Sequence, residues 1–179
     1  KDPGVQLAPD EPPPEITPIN KLGILGAGFM GSGIASIAIQ QGTLVRMKDA
    51  DHGRVGKGFQ AVRDVLKERL TKRQITKVQY NDMMSLLGGT TDYSGFGSAD
   101  LVIEAVFEDL NVKHEVLREV EAELRPAAIY ASNTSTIPIE RIAEVAQRPE
   151  RVLGMHFFSP VNKMPLLEVI TTPATANDV

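Results

Sequence analysis

The feature that most constrains the fold of this chain is a glycine pattern between a strand-like run and a helix-like segment. Residues 26–31 read GAGFMG and match the spacing G-x-G-x-x-G. The apolar run KLGIL comes directly before them, and the apolar-rich segment MGSGIASIAIQQG begins within them. A strand, a glycine turn and a helix in this order predict the first βα unit of a doubly wound sheet, with an anion bound at the helix N-terminus.

Each glycine of the pattern has a physical role in such a unit. Gly26 makes the tight turn, Gly28 lets the backbone approach a pyrophosphate, and Gly31 lets the helix pack closely on the strand. An acidic residue about twenty positions further on is the second requirement. Asp49 lies 21 residues after Gly28, at the end of the next strand-like run, LVRMKD. A carboxylate there binds ribose hydroxyls and repels a 2′-phosphate, which favours NAD over NADP.

Several alternatives stay open at this point. Lys48 and Arg54 lie close to Asp49 in sequence and keep NADP in consideration. The glycine turn is also compatible with an α/β domain that binds no nucleotide. Leu22 to Val45 carry no charge and are long enough to span a bilayer. Internal glycines and polar residues argue against that interpretation, so no transmembrane segment is predicted.

Strand-like and helix-like segments alternate along the rest of the chain, which predicts a mostly parallel sheet with helices on both faces. We therefore expect a Rossmann-type α/β domain over residues 21–179. In residues 110–124, four apolar residues at four-residue steps, Val112, Val116, Val120 and Leu124, predict the buried face of a helix. The other predicted helices are 52–73, a shorter one near 76–87, and 137–146, and the other predicted strands are 99–106, 128–132, 151–158 and 166–170.

Composition limits the classes of function. The chain has 179 residues and a net charge of −4, which does not favour nucleic acid as a partner. It has no cysteine, so disulfides and thiolate metal sites are excluded, and no metal site is predicted. Six of the twelve prolines fall within residues 1–20, which are predicted to be a linker.

Two ionisable residues lie in apolar, strand-like runs near the end of the chain. Residues 154–170, GMHFFSPVNKMPLLEVI, contain His156 and, twelve positions later, Glu168. A histidine in such a run is commonly satisfied by a backbone carbonyl. It can also serve as a base near neutral pH, with a carboxylate that fixes its tautomer and stabilises the imidazolium. Two adjacent strands ending at one edge of the sheet would bring the pair together, whereas His52 and His114 lie on polar helical segments and are expected to be solvated.

Four segments together resemble the NAD-binding domain of the L-3-hydroxyacyl-CoA dehydrogenases, above all the version in the α subunit of multifunctional fatty acid β-oxidation complexes. They are 23–35, GILGAGFMGSGIA, 100–113, DLVIEAVFEDLNVK, 131–136, ASNTST, and the 154–170 segment. The resemblance runs from about Ile19 to Thr172. It implies NAD-dependent oxidation of (S)-3-hydroxyacyl-CoA, with His156 as the base and Glu168 as its partner.

The resemblance also implies further site residues. It places Ser135 at the reacting oxygen of the substrate, and it implies Asn133, in the same turn, as a substrate-binding residue that helps hold the turn or the nicotinamide end. Ordinary turn chemistry is the competing interpretation for both. Ser159 is implied as a substrate contact, although it stands where family members often carry asparagine. Lys72, in a basic cluster over 67–77, matches the position that meets the phosphates of coenzyme A, and a solvated helix end is the alternative. The implied cofactor residues are Gly26, Gly28, Phe29, Met30, Gly31, Asp49, Val106, Glu108, Lys113 and Ser135, with surface charge as the alternative for Glu108 and Lys113.

The resemblance implies a larger protein around this domain. We expect an enoyl-CoA hydratase domain before the proline-rich linker, a helical domain after residue 179 that supplies a catalytic asparagine, and a thiolase subunit as a further partner. This chain is then C-terminally incomplete, and it is expected to bind NAD but to turn over poorly by itself. The expected location is the cytoplasm of a bacterium, or the mitochondrial matrix in a eukaryote. A related 3-hydroxy acid or sugar-acid dehydrogenase, and an NAD-binding module without turnover, remain as alternative functions.

Overall fold

A computed structural model describes residues 17–179, and a seven-stranded sheet lies at its centre. The strand order is β3-β2-β1-β4-β5-β6-β7, and every neighbouring pair is parallel except β6 and β7. The chain starts in the middle of the sheet and winds outward in both directions, so the predicted Rossmann-type order is confirmed. The strands are β1 (Lys21–Leu25), β2 (Leu44–Lys48), β3 (Leu87–Thr90), β4 (Leu101–Glu104), β5 (Ile129–Ser132), β6 (Val152–Phe157) and β7 (Leu167–Ile170).

Helices cover both faces of the sheet, and each face has its own apolar core. Leu22, Ile24 and Met47 point to one face, where the first three helices pack. Val102 and Tyr130 point to the other, where the last two helices pack. None of the helices within residues 17–179 is long and apolar enough to cross a membrane. The helices are α1 (Phe29–Gln40), α2 (His52–Thr71), α3 (Lys77–Ser85), α4 (Leu110–Glu121) and α5 (Ile139–Ala143).

Side-chain caps define where three of the helices begin. The Asp51 carboxylate accepts from the amide of Arg54 at the start of α2, and Asp109 does the same for the first turn of α4. Thr76 and Gln79 form a reciprocal capping box at the start of α3. Each cap satisfies amides that have no partner within the helix. The proline-rich segment predicted as a linker lies, up to residue 16, outside the described residues.

The structure differs from the predicted elements in several respects. The strand β3 was not predicted, because LGGT is short and contains two glycines, and the helix expected to reach residue 87 ends at Ser85. Of the row predicted to be buried in 110–124, Val120 and Leu124 are buried and Val116 packs against the core, but Val112 is exposed. Lys113 and Leu117 are buried instead of Val112. Steps of four residues overshoot a full helical turn by about 40° each, so a row of such steps drifts off the buried face.

Candidate active site

The glycine loop joins β1 to α1 at the carboxyl edge of the sheet. Gly26 has a φ of 101°, and its amide donates to the carbonyl of Lys48. A Cβ at Gly31 would lie 1.9 Å from the carbonyl oxygen of Gly26, so helix and loop meet at a distance only glycine permits. A Cβ at Gly28 would meet no atom within 4 Å, and no side chain of the described residues caps α1. The loop therefore leaves open space in front of uncapped helix amides, which fits a bound pyrophosphate.

Asp49 lies beside this loop at the end of β2. Its Oδ2 accepts from the amide of Ala27 at 2.8 Å, and its Oδ1 accepts from the amide of Ala50 at 2.7 Å. Lys48 and Arg54, the two cations that kept NADP in consideration, both contact other side chains of this chain. Lys48 Nζ lies 4.4 Å above the ring of Tyr93, and Arg54 lies 3.7 Å from Asp49 and 3.4 Å from Asp51.

His156 and Glu168 contact each other across the last two strands. The strands β6 and β7 are antiparallel, and their register places the two residues directly opposite each other. His156 Nδ1 lies 2.9 Å from Glu168 Oε2, so the partner is a carboxylate and not the backbone carbonyl of the alternative interpretation. The His156 side chain is 22% exposed and the ring of Phe158 lies 4.7 Å from it. With Nδ1–H donated to Glu168, Nε2 is left as the basic nitrogen.

Lys113 and Glu108 occupy the loop and helix that follow β4. Lys113 is 1% exposed, and its Nζ lies 2.8 Å and 3.0 Å from the two carboxylate oxygens of Glu104 and 3.1 Å from Glu108. Surface charge is therefore the wrong interpretation for Lys113. Burial opposes ionisation of Glu108, but hydrogen bonds from Thr134, Lys113 and Thr136 and the lysine charge outweigh it. The net effect lowers the pKa of Glu108 to about 2.

Asn133 and Ser135 lie in the turn that follows β5. Asn133 Oδ1 accepts from the amide of Phe157 at 2.9 Å, so it holds β5 against the strand position next to His156. Ser135 is exposed at the edge, and its amide donates to Glu108 Oε1 at 3.3 Å. The structure thus connects the turn after β5 to β6 through Asn133 and brings Glu108 against the backbone of Ser135.

Several other predicted residues lie around the same edge or beyond it. Phe29 is 69% exposed at the first position of α1, Met30 follows it half-buried, and Val106 is half-buried after β4, where its amide donates to Glu104. Lys72 pairs with Glu68 at the far end of α2, and Ser159 is exposed between β6 and β7. Neither Lys72 nor Ser159 contacts the His156–Glu168 pair.

Sequence reasoning missed some residues of this region. Glu104 was assigned only to a strand, although an acid that ends a buried parallel strand is itself a signal of a site at that edge. Thr134, which bonds to Glu108, gave no separate signal. His114 was expected to be solvated, but it is half-buried and its Nε2 lies 2.7 Å from the carbonyl of Arg141. The α4–α5 contact brings that carbonyl to the ring.

The doubly wound order, the glycine loop beside the switch point and the acid after β2 define a dinucleotide-binding domain. Residues 21–179 match the sequence profile of the family described as 3-hydroxyacyl-CoA dehydrogenase, NAD binding domain. The chain belongs to this family, and its cofactor is NAD. The open cradle at Gly28 and the Asp49 carboxylate fit that cofactor.

Individual proteins similar to this chain show the same membership. The fatty acid oxidation complex subunit alpha of Shewanella loihica is 44% identical over 159 residues, which are 88% of this chain and 22% of that protein. A 3-hydroxybutyryl-CoA dehydrogenase structure from Escherichia coli matches with a TM-score of 0.87 and 33% identity over 90% of this chain and 34% of its own. An (S)-3-hydroxybutyryl-CoA dehydrogenase from Ralstonia eutropha matches with a TM-score of 0.86 and 36% identity, over 89% and 56%. The chain spans about a fifth of the curated relative.

Proposed function

We propose that this chain is the part of an enzyme that binds NAD and abstracts the proton during oxidation of (S)-3-hydroxyacyl-CoA to 3-ketoacyl-CoA. The observation that carries the proposal is the His156–Glu168 pair at the same sheet edge as the glycine loop. NAD, when bound, accepts the hydride. Glu168 keeps the proton on Nδ1, so Nε2 takes the proton of the substrate hydroxyl, and the carboxylate stabilises the imidazolium that results.

Ser135 is proposed to hold the reacting oxygen. Its side chain is exposed at the edge, and the hydrogen bond from its amide to Glu108 fixes the backbone that carries it. A hydroxyl held in place donates to the oxygen as negative charge develops there, which lowers the barrier. Glu108 and Lys113 are proposed to lie near the nicotinamide ribose, because they follow β4 at the switch point of the sheet.

A groove of mixed polarity supports a CoA thioester as the substrate. A cavity of about 500 Å³ is lined by the cations Arg69, Lys72 and Lys163. It adjoins a second cavity of about 470 Å³, and the two share Ile37, Asn162 and Lys163. The second cavity is lined mainly by apolar side chains: Phe157, Val161, Met164, Pro165, Leu166 and Leu167.

The groove runs from cations to apolar side chains that include Phe157 and Leu167, which form the register pair next to His156 and Glu168. Because adjacent residues of a strand point to opposite faces, these two apolar side chains lie on the other face of the β6–β7 pair from His156 and Glu168. A phosphate-bearing head and an apolar tail match that order. The pKa of Glu68 lies below its usual value, chiefly through the hydrogen bond and charge of Lys72 and in part through the charge of Lys163, so cations from two elements face the same opening. A free 3-hydroxy acid, the alternative substrate, carries its only anionic group two carbons from the reacting carbon and has no distant phosphate to place at this cationic end.

The surrounding protein is proposed from the likeness to the complex subunit. We infer an enoyl-CoA hydratase domain before this one, a helical substrate-covering domain after it, and a thiolase subunit as partner. A bacterial cytoplasmic location is proposed because the curated relative is bacterial.

The function is tested with protein expressed from the full reading frame that contains this sequence. We expect NAD-linked oxidation of (S)-3-hydroxybutyryl-CoA and far slower oxidation with NADP or with free (S)-3-hydroxybutyrate. Faster turnover of the free acid would instead identify a 3-hydroxy acid dehydrogenase. If the protein binds NAD in a fluorescence titration but shows no turnover, it is an NAD-binding module without catalytic activity.

A further inference from the structure

A fully buried carboxylate lies directly beneath the candidate site. Glu104 is the last residue of β4 and is 0% exposed. Its Oε1 accepts from the amide of Val106 at 2.9 Å, and its Oε2 accepts from Ser132 Oγ at 2.6 Å. Lys113 Nζ donates to both oxygens. Both carboxylate oxygens are therefore held, by donors from the segment after β4, from β5 and from α4.

Stability alone is a weak reason for such a pair. Removing two charges from water is costly, and buried ion pairs can often be exchanged for apolar residues of similar volume without loss of stability. The neighbouring core of Leu25, Val102 and Leu117 shows that apolar packing is already available on this face of the sheet. The charges instead lie at the carboxyl edge, where ligands of such sheets bind.

The pair connects the two loops that carry predicted site residues. Lys113 reaches past Glu104 to Glu108 Oε2 at 3.1 Å, on the loop after β4. Glu108 Oε1 in turn accepts from the hydroxyls of Thr134 and Thr136 and from the amide of Ser135, on the loop after β5. A continuous chain of hydrogen bonds thus runs from Glu104 through Lys113 and Glu108 to the backbone of Ser135.

We propose that Glu104 is a positioning residue for the reaction. It fixes the ammonium of Lys113, Lys113 holds Glu108, and Glu108 sets the backbone of Ser135. This inference rests on the proposed function for the role of Ser135. Without the charge at position 104, Lys113 has Glu108 as its only carboxylate partner among the described residues. The lysine then pulls Glu108 away from Thr134 and Thr136, and the turn after β5 loses its anchor.

The test measures turnover and loop order separately. Glu104→Gln is expected to lower kcat at saturating NAD and substrate by at least about tenfold. It is also expected to speed hydrogen exchange of the amides of 133–137 in the cofactor-free protein. Glu121→Gln is the matched control, because Glu121 is also buried, lies on α4 and accepts the amides of Gln147 and Arg148 away from the site. Glu121→Gln should lower the melting temperature but leave kcat and the hydrogen exchange of 133–137 unchanged.

A double-mutant cycle decides whether Glu104 acts through Glu108. If it does, Glu104→Gln and Glu108→Gln combined lower kcat by about as much as the more damaging of the two alone. If the fold-losses in kcat of the two single variants multiply in the double variant, the proposal is overturned. A Glu104→Gln enzyme with normal kcat and normal hydrogen exchange would also overturn it. If Glu104→Gln does not fold, Glu104→Asp replaces it in the cycle, since the shorter side chain keeps the charge but withdraws the carboxylate from Lys113 and Ser132.

The exchange measurement also separates this inference from the proposed function. An inactive wild-type protein would remove the proposed function. Faster exchange in Glu104→Gln alone would still show that Glu104 orders the loop, and unchanged exchange would refute the proposed hydrogen-bonded chain.

Discussion

At the residue scale, Asp49 connects cofactor choice to the shape of the glycine loop, because one carboxylate oxygen already holds the amide of Ala27. Asp49→Ala should weaken NAD binding by about 2–3 kcal/mol, since a charged acceptor is lost, and it should relax discrimination against NADP. Asp49→Asn is the control, because an amide oxygen can keep the bond to Ala27. Isothermal calorimetry with both cofactors measures the change, and tighter binding of NADP to the unmodified protein would contradict the assignment.

His156 is expected to affect chemistry and not cofactor binding. His156→Gln should lower kcat by about 10²–10⁴-fold, because the proton acceptor is gone, while the NAD dissociation constant stays within about twofold. Glu168→Gln should also lower kcat, since a neutral partner stabilises the imidazolium less. Steady-state kinetics and a fluorescence titration measure the two quantities. Near-normal turnover by His156→Gln would exclude it as the base.

The lowered pKa of Glu108 predicts a limited loss of folding stability at acid pH. Its pKa is lowered to about 2 in the folded protein from a usual value of 4.5, so the folded state favours the ionised form. Its contribution to the free energy of unfolding is therefore fully present above about pH 4.5 and is lost as the pH falls toward 2. The side chain is 38% exposed, so the effect is modest. Urea titrations should show wild type and Glu108→Gln converging over that range, and a constant difference would contradict the cause.

At the element scale, α2 packs closely against the glycine loop at Gly58. A Cβ at Gly58 would lie 2.8 Å from the Cβ and carbonyl oxygen of Ala27 and from the sulfur of Met47. Glycine-to-alanine exchange inside a helix normally stabilises by up to about 1 kcal/mol. Gly58→Ala should do the opposite, because the methyl group pushes α2 away from the loop, and it should weaken NAD binding as well.

Gly56 provides the matched control on the same helix. A Cβ there would meet no atom within 4 Å. Gly56→Ala should therefore raise the melting temperature by the ordinary helix-propensity effect and leave NAD affinity unchanged. Thermal unfolding of both variants with and without NAD makes the comparison. Equal stabilisation by the two exchanges would show that α2 does not need the close contact.

At the scale of the whole molecule, the groove combines α1, α2 and the loop between β6 and β7. Lys163 lines both of its cavities from that loop. Lys163→Met should raise KM for a CoA thioester by about three- to tenfold, because one cation near the phosphates is lost. It should leave KM for a truncated pantetheine thioester nearly unchanged. Lys67→Met, the same charge change on α2 outside the cavity lining, is the control, and equal effects on both substrates would contradict a phosphate contact.

The sequence by itself determined the class of fold and the cofactor loop. Local or periodic patterns of residues predict the strand, the glycine turn, the helix and the acid. Gly26, Gly28 and Gly31 meet the steric requirements of binding a pyrophosphate at a helix N-terminus. The apolar runs containing His156 and Glu168 predicted two strands, but both were expected to end at one edge of the sheet, whereas the antiparallel β7 begins at the edge where β6 ends. The glycine-containing β3 was missed because its local signal is weak and it forms a strand through its pairing with β2.

Only the tertiary structure decided which distant residues meet. The antiparallel register of β6 and β7 places Glu168 opposite His156, and a one-residue slip would place them on opposite faces. The burial of Lys113 between Glu104 and Glu108 follows from packing α4 on the sheet, since a lysine on a helix is ordinarily solvated. Long-range pairing of charges depends on how layers assemble, and no local pattern of residues contains that information.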